Sequence, residues 1–324
     1  MAIDANRLPS FDQLPAVVSL PGGVASAWGV FGNDDEFGTW NLATPAKAAE
    51  AAKLVRTGRV FSLNLPLNEP DPPLFHFRKP LRVSMFDCSD GRRLAYDEHL
   101  DDFCPQASSQ WDGHRHVCNP VDGFYNGRKH DEVLAEGSAV LGIQNLARRG
   151  VATRGVLLDV ARYLERQGTS IAPHSSTTID AATLRACAAA EGVEIRAGDV
   201  LLFHTGWLAW MRGLARAERE ALAADLIAPG LLPGREMAAY LWDLHIAAIA
   251  TDTIAVEAWP VLPERGFFHF QLITYFGMNL GEMWDLDALA ADCAADGVYE
   301  FMLTSAPLNI PGGVGSPPNA LAIK

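Results

Sequence analysis

At 324 residues the chain is long enough for one large α/β domain or two average ones, and 49% hydrophobic with 20% charged residues gives it ample core-forming material. The formal net charge of −13 argues against nucleic acid and anionic membrane surfaces as partners, since both recruit a surplus of Lys and Arg. Five cysteines without a C-x-x-C spacing fit a reducing compartment, Met1 to Arg7 show no secretory signal, and no apolar run reaches the roughly 18 residues that span a bilayer, so the expected location is cytoplasmic.

Residues 1–40 read as an irregular N-terminal arm, because Pro9, Pro15, Pro21 and the Gly22-Gly23 pair interrupt any long element. Residues 41–324 read as one domain. Thr44 is a good N-cap, Pro45 suits a first helical turn, the Ala-rich run to Val55 propagates a helix and Gly58 closes it. A strand is expected over Arg59–Leu67, a proline-broken loop near 68–80, and a second strand over Leu81–Cys88 before a turn at Ser89–Arg93.

The run from Cys104 to Val117 is the most informative part of the chain. In extended backbone Gln106, Ser108, Gln110, Asp112, His114 and His116 share one face, and Trp111 and Arg115 take the other. So many polar groups are costly to bury unless a metal ion or polar substrate satisfies them. Isolated Asp and His also occur as solvated structural groups, so spacing alone leaves both readings open.

Beyond it, Phe124 and Tyr125 sit in a Gly-rich loop, as turn residues or as walls for a planar substrate. Strands at Gly155–Val160, Val200–Trp207 and 246–253 alternate with helices at 180–191, 216–227 and 234–243, which predicts α/β architecture with a mixed sheet. His204 lies in the polar end of its strand, at the edge where α/β sites gather, as a pocket-facing substrate contact or a satisfied core histidine. His269 opens a helical run that Gly277 breaks, and Glu282 follows on a short returning strand. Imidazole plus carboxylate suits Zn²⁺ or Mn²⁺. Gly312-Gly313-Val314-Gly315 lacks the Walker lysine and is no phosphate cradle.

Ser109-Gln110-Trp111-Asp112-Gly113-His114-Arg115-His116 resembles the H-x-G-T-H-x-D-x-P-x-H motif of the cyclase family of metal-dependent hydrolases. Ser109 falls on the motif's Thr, Asp112 on its Asp and His116 on its last His. Gln106 and Gln110 replace its first two histidines, Ser108 its Gly and His114 its Pro, which favours one metal over two. The phrases Asp35–Pro45, Ile195–Trp207, Ile249–Thr253 and Ala306–Pro318 are similar to further family signatures, and the family draws a His and a Glu from the region of His269 and Glu282.

The resemblance implies the β/β/α cyclase-family fold, a homo-oligomer (dimer or tetramer), and one divalent ion, Mn²⁺ or Zn²⁺, used to hydrolyse an amide or lactone bond in a small cyclic or aromatic compound. Asp112, His269 and Glu282 are the expected ligands, with Gln110 a fourth. His116 is the expected general base or acid, or else a ligand, and His114 is second choice for proton transfer. Trp111, Phe124, Tyr125 and His204 are expected to contact the substrate. Two other readings stay open: a metal-poor small-molecule binder of the same fold, and a cyclase or dehydratase.

Overall fold

The computed structural model describes residues 5–18 and 20–324. Of the N-terminal arm, residues 1–4 and 19 lie outside the described residues, as does the start of the stretch read for a secretory signal.

A mixed nine-stranded sheet organises the chain. In spatial order it runs Val60–Ser62, Ala320–Ile323, Glu300–Ser305, Val151–Asp159, Val200–His204, Ala248–Thr251, Asn279–Glu282, Gln110–Asp112 and Gly315–Ser316. The four from Val151–Asp159 to Asn279–Glu282 are mutually parallel, and every other pairing is antiparallel. The parallel strands are mostly apolar in their middles because both faces are covered, with polar residues such as Asp159, His204 and Glu282 at their ends. Val156, Leu158, Leu201, Phe203 and Ile249 enter one core, with the helices Ala181–Glu191 and Arg235–Asp243. Leu157, Val200, Leu202, Ala248 and Ala250 enter the other, with Trp111, Trp284 and the helix Asp287–Asp296. At about 1.5–3 kcal/mol per fully buried large apolar side chain, these two layers fix where the strand ends lie.

Local punctuation works largely as the sequence predicts. Thr44 Oγ1 accepts from the Lys47 amide above the helix Pro45–Ala51, and a short 3-10 turn, Ala52–Leu54, finishes that segment. Asp180 caps Ala181–Glu191, which ends on left-handed Gly192. The helical run after His269 is a π-helical turn, Phe270–Tyr275, buried nearly throughout. Part of the arm is core: Phe11, Leu14, Ala25 and Ala27 are buried among sheet and helix residues. Of the strand expected over Arg59–Leu67, only Val60–Ser62 forms. Leu81–Cys88 does contain a strand, Arg82–Asp87, but it pairs with Tyr96–Asp101 as a separate hairpin and not with the main sheet.

Candidate metal centre

The central motif forms three residues of strand, Gln110–Asp112, opposite Asn279–Glu282, with Gln110 facing Glu282 and Trp111 facing Gly281 in register. Side chains on a strand alternate, so Gln110 and Asp112 point together and Trp111 points away. Gly281 makes this approach possible, since a Cβ there would lie 2.5 Å from the Ala250 Cβ and 2.9 Å from the Trp284 indole. The Asn279 amide holds the Asp112 carbonyl at 2.6 Å, and the Trp284 indole holds the Gln110 carbonyl at 3.0 Å. Gly113 then packs against the Val314 carbonyl, leaving no room for a Cβ, and the His116 amide closes a turn onto the Gly113 carbonyl.

That turn breaks the alternation expected beyond Asp112. His116 folds back so that its Nε2 lies 3.7 Å from Asp112 Oδ2, while His114 faces elsewhere, its Nδ1 3.1 Å from the Glu36 carbonyl and its ring 5.0 Å from Tyr125. From the far side, His269 brings Nε2 to 3.9 Å from Asp112 Oδ2 and 3.1 Å from Glu282 Oε1. One ligand atom each from Asp112, His116 and His269 lies within 4.8 Å of the others. Gln110 Nε2 donates to Glu282 Oε2 at 2.7 Å and lies 3.4 Å from Asp112 Oδ2. Since both partners are acceptors, the amide group turned toward them is the donor end. Gln110, offered by the sequence as an oxygen ligand, thus bridges the two carboxylates through its Nε2, while its Oε1 is turned away from them.

The electrostatics follow from burial and crowding. Asp112, Gln110 and Glu257 are fully buried, and His269 and Glu282 nearly so. Burial and the neighbouring Asp112 charge push Glu282 up to about 7. Burial opposes charge on His269, but Glu257 and Glu282 outweigh it and hold the imidazolium well above the ordinary histidine range. Burial holds His116 below that range against the pull of Asp112, with His269 and Arg78 adding to the depression.

Glu257 gives no signal in the sequence, where it is one carboxylate between apolar residues. In the fold both its carboxylate oxygens reach His269 Nδ1, at 2.9 and 2.8 Å. This fixes Nδ1 as the donor and leaves Nε2 for a ligand, the arrangement that orients imidazoles in metal sites. The residues fit a divalent cation on one further ground: Asp112 Oδ1 and Gln110 Oε1 are buried without a hydrogen-bond partner, which is costly unless a cation or its water satisfies them.

The other residues read from the sequence stand apart. Trp111 is fully buried, edge-on to Trp40 and Trp284, and its indole donates to Ser305 Oγ at 3.0 Å; it is a core residue. Phe124 and Tyr125 pack into a small cluster with Val133 and Leu141, and the Tyr125 hydroxyl donates to Asp35 at 3.0 Å. His204 is clamped between Asp159 and Asp287, 3.0 Å from each. Alternation already placed Trp111 on the face opposite Asp112. Nothing in the sequence pairs His204 with residues 45 positions before it and 83 after it.

No curated protein matches the chain. A solved structure described as a novel cyclase is 32% identical, with a TM-score of 0.80 over 92% of this chain and 99% of that one. Isatin hydrolase A from Ralstonia solanacearum, 18% identical with a TM-score of 0.51 over 86% of this chain and 95% of its own, shares the fold. So does an isatin hydrolase bound to the product analogue thioisatinate, 20% identical with a TM-score of 0.52 over 86% and 94%. The model of the family described as "Putative cyclase" matches residues 43–258. With that match and a 32% identical relative along nearly its whole length, this chain belongs to the cyclase family.

Proposed function

We propose that the protein is a metal-dependent hydrolase that opens an amide or lactone bond in a small cyclic or aromatic compound. The observation that carries this reading is the convergence of Asp112, His116 and His269 within 4.8 Å, walled by Glu282 and by the Glu257 that orients His269. Asp112, His269 and Glu282 would hold one divalent ion, Zn²⁺ or Mn²⁺. Such an ion supplies an acidified water and polarises the carbonyl under attack. Gln110 keeps the two carboxylates apart and oriented, and Glu257 keeps His269 Nε2 turned inward.

His116 is the residue for proton transfer. Its side chain is 24% exposed where Asp112, His269 and Glu282 are 4% or less, so it alone of the four stands between the buried cluster and the solvent. Neutral His116 takes a proton at an imidazole nitrogen from the attacking water and returns it to the leaving amine or alkoxide. The isatin hydrolase likeness supports the choice of small cyclic substrates. The test is hydrolysis of a panel of cyclic amides, lactones and N-formyl arylamines by metal-replete protein, with His116→Ala as the control. Turnover that falls by about a hundredfold or more while bound metal is kept supports the assignment. If metal is lost as well, His116 is itself a ligand beside Asp112, His269 and Glu282, a second reading that its closeness to the first two favours.

The assembly reading is a second copy of this chain. The hairpin Arg82–Asp87 and Tyr96–Asp101 is exposed along nearly its whole length, and Val83, Met85, Tyr96 and Leu100 share one of its faces. The four are 45–70% exposed, an apolar patch of the kind that a second copy of the chain would cover.

A further inference from the structure

Arg78 ends the loop that runs along the rim of the candidate centre. Leu74, earlier in that loop, is buried in one apolar cluster with Met283, the neighbour of Glu282. Phe75 meets Trp259, two residues past Glu257, edge to face at 5.9 Å. The Arg78 guanidinium lies 4.5 Å over the Phe75 ring and 5.7 Å from the centre of Phe77, and its Nη1 donates to the carbonyl of Gln106, where the motif segment begins. A cation is thus fixed at the rim from three sides, and its charge reaches His116.

Every one of those partners is neutral. Among the described residues Arg78 makes no ion pair, although the chain carries 39 acidic against 26 basic side chains. Aromatic faces and a carbonyl stabilise a guanidinium without neutralising it. Its remaining N–H donors form a planar fork that suits a carboxylate. The neighbouring surface is aromatic: Phe77 is 68% exposed, and Phe267 lies parallel to the His269 ring at 4.4 Å.

We propose that Arg78 determines specificity by pairing with a carboxylate carried by the substrate, away from the bond that is cleaved. The inference rests on the hydrolytic reading of the same site and narrows it to small organic acids. His116 and the buried ligands address the scissile group, while Arg78 holds the anionic end outside the cluster.

The experiment titrates benzoate, and benzamide as its neutral counterpart, into wild-type, Arg78→Met and Arg78→Lys protein, followed by tryptophan fluorescence, with bound metal measured on each sample. The expected result is at least tenfold weaker benzoate binding by Arg78→Met, an intermediate loss in Arg78→Lys, and unchanged benzamide binding. Equal benzoate affinity in wild type and Arg78→Met overturns the assignment. So does absence of benzoate binding by wild type. A parallel loss of benzamide overturns it too, because a purely structural role predicts that. Metal-free wild-type protein would count against the hydrolytic reading alone, since the benzoate comparison is still read on the same samples.

Discussion

Glu257 and His269 form the closest carboxylate–imidazole pair of the centre, with Glu257 Oε2 2.8 Å from His269 Nδ1 and both side chains buried. The pair fixes Nδ1 as the inward donor of a histidine that immediately precedes the π-helical turn, so that Nε2 would be the nitrogen offered to a cation. Glu257→Gln keeps the shape but weakens the acceptor. Cation affinity should fall about ten- to a hundredfold, measured by competition with a chelator, while the far-UV dichroism stays that of the wild type. Unchanged affinity would mean that packing alone orients His269.

Trp111 lies between Gln110 and Asp112 in sequence yet packs in the core. Trp111→Phe removes volume between Trp40 and Trp284 and the hydrogen bond to Ser305. It should cost about 1–3 kcal/mol of stability in denaturant unfolding and leave metal content unchanged. A selective change in KM with no loss of stability would restore Trp111 to the substrate pocket.

His204 ties three strand and helix ends together through its charge. Burial disfavours the imidazolium, but the hydrogen bonds to Asp159 and Asp287 outweigh it and raise the group to about 10. The unfolded value is about 6.5. A group whose folded pKa is raised stabilises fully below the unfolded pKa and loses that contribution as pH rises through the folded one. Unfolding free energy should therefore decline between about pH 6.5 and 10 by an amount on the order of a few kcal/mol, and His204→Gln should flatten that decline. A wild-type profile that is level across this window would show that the imidazolium is not held.

The hairpin's exposed apolar face gives the assembly its own test. Met85 is 70% exposed on the same face as Val83, Tyr96 and Leu100. Met85→Asp should shift a dimer or larger assembly toward monomer in light scattering, with the secondary structure intact. An unchanged mass would remove the hairpin from the interface.

How far the sequence could be read depended on range. Local rules placed the Thr44 and Asp180 caps, the apolar strands at Val156 and Leu201, and the polar face of Gln110 and Asp112, because each depends on neighbours a few positions away. The meeting of Asp112 with His269 needed the family resemblance, since no local rule joins residues 157 apart. What escaped were contacts with no local trace. The Val314 carbonyl fills the space of a Gly113 Cβ, and the turn closed by the His116 amide on the Gly113 carbonyl takes His114 off the face that His116 keeps. The bond from His269 to Glu257 and that from Arg78 to the Gln106 carbonyl join segments that no local rule brings together.

Asp112 together with His269 would hold one divalent cation, and metal content reads this directly. Elemental analysis after dialysis against trace Zn²⁺ or Mn²⁺ should find about one ion per wild-type chain, and close to none in Asp112→Asn with its fold and thermal midpoint nearly preserved. Full occupancy in Asp112→Asn, or a metal-free wild type that still hydrolyses its substrate, would contradict it.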